Sequence, residues 1–142
     1  MYVFTDSSKR DRRNIFLSIH QQLLSDQLQK GRYILFRKVT DETSIEQLTG
    51  EEYRDINAAL SFYNTLGFYV KNDYVKERDV MELWDMSIWR AWVAAQPFMT
   101  HRQKNVGYHI LNNFELLAGK AQKELIRKGV VSAQPMSAPK VQ

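Results

Sequence analysis

The chain of 142 residues contains no cysteine, which excludes disulfide bonds, thiolate zinc sites and a cysteine nucleophile and suits a reducing compartment. Long apolar runs are missing too. No stretch reaches the roughly 18–20 consecutive apolar residues that a membrane span needs, and the N-terminus lacks the apolar core of a signal peptide. The sequence therefore reads as soluble and cytoplasmic. Only three prolines occur, and two of them lie in the tail from Ser132 to Gln142. No glycine-rich loop precedes a basic residue to cradle phosphate, and no serine has the glycine-flanked setting of a nucleophile elbow. His20, His101 and His109 form no pair at i and i+4, and His101 and His109 are eight apart, so no metal site is expected. No catalytic residue and no cofactor is assigned, and the chain is not expected to be an enzyme.

What is present is an ordinary globular balance, with 44% hydrophobic and 25% charged residues. At this length one domain is the default, and about two-thirds of the unfolded surface can be buried. The aromatic share of 12% is somewhat high, and most of those rings must pack inside. The net charge of +4 biases the surface towards anionic partners. Lys9, Arg10, Arg12 and Arg13 form a basic cluster near the N-terminus and a candidate anion-contacting surface. Lys120, Lys123, Arg127 and Lys128 follow in the last predicted helix.

Periodicity predicts an all-α fold: a compact bundle of four to five helices with a long N-terminal helix and a disordered C-terminal tail. Thr5 to Ser8 offer side chains that accept from free N–H groups at a helix start. Ile15, Phe16, Ile19, Leu23 and Leu24 then recur at spacings of three and four. One helix is expected from about Ser8 to Phe36, bent at Gly31; the alternative ends it at Gly31 and makes Tyr33 to Val39 a strand. Thr40 to Leu48 reads as a loop or short helical turn. Thr49 with Glu52 is a capping-box pair, in which each side chain satisfies a backbone N–H of the other residue. It starts a helix that continues to about Lys71, where Asn72-Asp73 signals a turn. From Lys76 the stripe Val80, Leu83, Trp84, Ile88, Trp92 and Ala95 predicts two helices or one bent helix. Asp85 to Ser87 is a possible break, and a kink or restart falls at Pro97, which removes one helical hydrogen bond. The last stripe is Tyr108, Leu111, Phe114, Leu117 and Ile126, stopped by Gly129. The expected organisation is an N-terminal tip at 1–7, one helical domain at 8–131 and a disordered tail at 132–142 whose few apolar residues cannot offset its ordering entropy. No internal repeat is present.

Three tryptophans fall at 84, 89 and 92. Trp89 and Trp92 share a helical face and Trp84 is turned away, so the aromatic stripe is core first and a cofactor or base-stacking platform only second. Trp84 and Trp89 are the candidate interface residues. Glu115 lies in an apolar run and would be costly to bury unpaired, so an arginine partner, Arg90 or Arg102, is expected if Glu115 is inside. Arg90, Arg102, Tyr108 and Glu115 are thus a candidate internal ion pair or the lining of an anion pocket.

Leu60-Ser61-Phe62-Tyr63 with Gly67, Val80 to Trp84, Ile88-Trp89-Arg90-Ala91-Trp92, Pro97-Phe98, Arg102, Tyr108 and Phe114-Glu115-Leu116-Leu117-Ala118 together resemble the bacterial DUF4760 family. Arg12-Arg13 before Ile15 is similar to its first helix, and the resemblance runs from about Arg10 to Ala121. It implies a helical domain without an assigned biochemical activity, often placed after membrane-spanning segments, and it carries over no catalytic residues. This sequence departs by having no such segment, only Met1 to Phe4 standing where its remnant would be. Membrane attachment is accordingly expected only through a segment this chain lacks.

Three functions are open at this point. The leading one is a non-enzymatic helical protein–protein interaction or regulatory module that docks a partner or a second copy. The next is a sensor or sequestering protein for a small anionic or nucleotide-like ligand. The weakest is a nucleic-acid-binding accessory protein, disfavoured by the acidic residues interspersed among the basic ones.

Overall fold

The computed structural model describes residues 6–132, with side chains from residue 9 onward. The described residues contain six helices and no strand: α1 (Asp6–Leu23), α2 (Asp26–Lys38), α3 (Glu42–Glu46), α4 (Gly50–Lys71), α5 (Glu77–Val106) and α6 (Asn112–Arg127). Of the tip expected at 1–7, residues 1–5 lie outside the described residues and the other two already belong to α1; nearly all of the expected tail lies outside them too.

The all-α expectation holds, but its segmentation needs correction. There are six helices rather than four to five, because Asp41 and Ser44 close a second capping box and turn the polar stretch after α2 into a short helix. The long N-terminal helix does not bend at Gly31 and no strand follows it. It breaks at Leu24–Ser25, where Ser25 accepts from the Leu28 backbone N–H and starts α2. In the sequence a serine within an amphipathic stripe looks like a solvent-facing position, and only its extended backbone makes Ser25 a cap. The Arg32 guanidinium donates to the Leu23 carbonyl at 3.0 Å, satisfying one of the acceptors left over at the end of α1.

Gly31 has a packing role instead. A Cβ built on it would lie 2.1 Å from the Asp55 carbonyl oxygen, so α2 crosses α4 with backbone against backbone. Gly67, further along α4, meets the Asn113 carbonyl in the same way at 2.0 Å. Helix α4 is thus the central element, with α2 seated at its first half and α6 at its second. Its start is the Thr49–Glu52 capping box read from sequence.

Helix α5 is one continuous helix through both expected breaks, Asp85 to Ser87 and Pro97. Burial of Ile88, Trp92, Ala95 and Phe98 on one face overrides the proline. The Gln96 amide donates to the Trp92 carbonyl and the Thr100 hydroxyl to the Gln96 carbonyl beside it. The Phe114 ring stacks on Tyr63 of α4 at 5.1 Å and meets the edge of Trp92 of α5 at 5.1 Å, so three helices join through aromatic rings. Each such buried side chain contributes about 1.5–3 kcal/mol relative to exposure.

The last helix begins later than its stripe suggested. Leu111 adopts a left-handed conformation (φ 58°) and precedes α6, which leaves Tyr108 outside the helix and exposed. No residue of α6's own chain neighbourhood caps it. Asn64 of α4 does so, its Oδ1 accepting from the backbone N–H groups of Asn113 and Phe114, both at 3.0 Å. At the other end Gly129 is left-handed, as its type predicted. Gly129 N–H donates to the Ile126 carbonyl and Val130 N–H to that of Leu125, the paired bonds of a Schellman stop.

Candidate functional site

The four residues expected to gather around the tryptophan helix do not meet. Arg90 and Arg102 lie twelve positions apart on α5, a separation of about 18 Å along a helix axis. Arg90 is exposed, and its guanidinium carbon stands 5.7 Å over the Phe36 ring of α2. Arg102 donates to Asn57 Oδ1 of α4. Glu115 takes neither arginine. It is partly exposed, and its Oε2 lies 2.9 Å from His109 Nε2. Tyr108 is 68% exposed. Glu115 is not inside, so the condition for the arginine–glutamate pair is not met, and in the first turn of α6 it pairs with His109 of its own approach loop instead.

The buried carboxylates are others, Asp55 of α4 and Asp85 of α5. Asp85 of α5 is only 8% exposed, accepts from the Met86 N–H and receives Lys128 Nζ at 2.7 Å. In the sequence Asp85 falls in a possible short break, Asp85 to Ser87. The clue that it is an inward position is its spacing of three from Ile88 and seven from Trp92.

The tryptophans divide. Trp92 is core, and Trp89, 6% exposed, is nearly so. Trp84 is half-buried and covered from α1, with the Phe16 ring stacked on it at 5.2 Å and His20 beyond at 6.3 Å. Its ring joins α1 to α5.

Two concave surfaces stand out among the described residues. The first runs between α2 and α5 as adjoining hollows of about 410 and 370 Å³. Phe36, Met86, Trp89, Val93, Ala94 and Val131 make its apolar walls; Arg32 lines one hollow and Arg90 lines both. Among the described residues no carboxylate lines it.

The second is a cleft of about 490 Å³ between the first half of α1 and the connection from α4 to α5. Lys9, Arg12 and Arg13 line it from α1, and Lys76 faces them from the start of α5. Arg10, grouped with them in the sequence, does not line the cleft. Arg12 is fixed by Asp73, with Nη2 to Oδ2 at 3.2 Å. Asp73 itself is left-handed (φ 59°), and the Asp73 and Tyr74 N–H groups bond back to the Val70 and Tyr69 carbonyls, so this connection is a closed turn.

Among the described residues no group of three or more histidines and carboxylates could hold a metal ion, and no helix is long and apolar enough to cross a membrane. No curated protein and no solved structure matches the chain. The family described as "Domain of unknown function (DUF4760)" matches over residues 2–121. That span takes in α1 to α5 and α6 as far as Ala121, and with it the α4–α6 contact and both concave surfaces except for Val131. The chain belongs to the DUF4760 family.

Proposed function

We propose that this protein is a non-enzymatic, cytoplasmic interaction module that docks a helical segment of a protein partner in the groove between α2 and α5. The observation that carries the reading is the groove's composition. An apolar floor of Phe36, Met86, Trp89 and Val93 lies open between two helices, with cations and no carboxylate among its lining residues. An amphipathic helix inserts its apolar face into such a groove with anchors at i, i+3 or i+4 and i+7. The cations at Arg32 and Arg90 favour acidic side chains flanking those anchors. Phe36 is the natural hot spot, because it is exposed, aromatic and held by Arg90.

The test is site-specific photocrosslinking in the native host, with a photoreactive residue at Val93 in the groove or at Lys123 on the outer face of α6. The expected result is a discrete protein adduct from Val93 only, lost when Phe36→Asp is added. Adducts from both positions, or none from Val93, would reject the docking reading. An adduct of twice the chain's mass would identify the occupant as a second copy.

A further inference from the structure

The face that α1 turns to the body changes character along its length. Phe16, Ile19 and Leu23 recur at helical spacing, and Ile19 and Leu23 are buried. Continued backwards, the same stripe is Arg12, Arg13 and Lys9, at i−4, i−3 and i−7 from Phe16. A helix that only closes over a core keeps its inward stripe apolar. Here the stripe becomes basic where it leaves the apolar core and overhangs the cleft.

The partner wall matches it. Lys76 faces the α1 cations, and among the described residues the side chains lining the cleft carry four positive charges against the one carboxylate of Asp79. Lys9, Arg13 and Lys76 make no ion pair with any described side chain. Like charges held around one hollow repel one another unless an anion sits between them. The walls are also held in place. Arg12 is oriented by Asp73 in the closed turn, Phe16 is stacked on Trp84, and Val75 at 2% exposure anchors the connection. The volume of about 490 Å³ lies within the range of small-molecule sites.

We propose that this cleft binds a small soluble phosphomonoester of the nucleotide class. Lys9, Arg13 and Lys76 would take the phosphate by charge-assisted hydrogen bonds. Phe16 offers an apolar surface for a planar group, and Asp79 accepts from hydroxyl groups of the kind a sugar carries. The site is separate from the docking groove and stands without it.

Calorimetric titration of the full chain at low ionic strength tests this, using adenosine monophosphate, inorganic phosphate and adenosine. The expected order is saturable binding of the monophosphate, weaker binding of phosphate and none of adenosine. Lys9→Gln, Arg13→Gln and Lys76→Gln together should weaken the monophosphate by about tenfold or more. Replacing three exposed cations elsewhere (Lys30, Arg54 and Lys123→Gln) should leave affinity within about twofold, and so should Phe36→Asp in the docking groove. All of these positions are exposed, so the variants should fold, which circular dichroism confirms for each. Absence of saturable binding of either phosphate probe overturns the proposal, as does equal weakening by the two sets of substitutions. Binding to phosphatidylglycerol vesicles without binding of the monophosphate would overturn the assignment of a soluble ligand.

Discussion

The contact of α4 with α2 and α6 and the contact of α1 with the rest of the molecule are made by different means. At the first, glycines bring backbones together at two crossings, and a side chain of one helix caps the next. At the second, an aromatic stack on Trp84 and one ion pair to Asp73 hold a helix whose inner face turns basic halfway along. The first arrangement leaves no room for a ligand and fixes the fold. The second leaves a charged hollow between its held walls.

Substitution at the glycines should separate the two most sharply. Gly31→Ala or Gly67→Ala places a methyl group against a carbonyl oxygen of the neighbouring helix, and we expect a loss of about 2–4 kcal/mol in chemical denaturation. A loss below about 1 kcal/mol would mean that the helices part easily and that the contrast is overdrawn. Lys128→Ala leaves the Asp85 carboxylate buried without its cation and should cost about 1–3 kcal/mol. Asp85→Asn in the same background should recover part of it, a coupling that a double-mutant cycle measures. Asn64→Ala removes the cap that α4 supplies to α6 and should cost about 1–2 kcal/mol. Its hydrogen-exchange signature should be confined to the first turn of α6.

On the α1 side the effects should be smaller and local. Arg12→Ala breaks an ion pair whose Asp73 side is well exposed and should change global stability by less than about 1 kcal/mol. Amide exchange within α1 should nevertheless accelerate, while α4 stays protected. The smallest effect concerns pH. A hydrogen bond from Lys38, followed by the Thr49 backbone N–H, holds the Glu52 carboxyl below the usual carboxylate range. Its folded value lies below its unfolded one, so its contribution is present at neutral pH and is lost as pH falls through the folded value. Thermal melts across the acidic range should show a slight decline that Glu52→Gln abolishes.

Much of the fold was legible because its signals are local. The Thr49–Glu52 box, the Asn72-Asp73 turn and the Gly129 stop each depend on residues a few positions apart, and each stands where its chemistry puts it. The misplaced boundaries have two causes. Ser25 starts a helix by a local cap inside an apolar stripe, whereas Pro97 fails to end a helix and Leu111 precedes α6 rather than joining it where contacts with other helices outweigh local preference. The candidate sites follow the same division. The basic run near the N-terminus was visible as composition, but its selection into Lys9, Arg12 and Arg13 without Arg10 required the helix to be seated on the body. Arg90, Arg102 and Glu115 were joined by a sound premise, that a charge near an apolar stripe seeks a partner. The partner chosen was His109, six residues away and reachable only after the chain turns at Leu111.

By itself the sequence determined that this chain is helical, has a core built on aromatic rings, and has a cationic first helix. Spacing of three and four, capping pairs and the count of charges are properties of neighbouring residues, and they act before any long-range contact forms. Tertiary structure alone decided which helices touch and which charges share a hollow. The crossings at Gly31 and Gly67 depend on backbones distant in sequence approaching within van der Waals reach. The cleft exists because the turn at Asp73 carries Lys76 under a helix that begins more than sixty residues earlier.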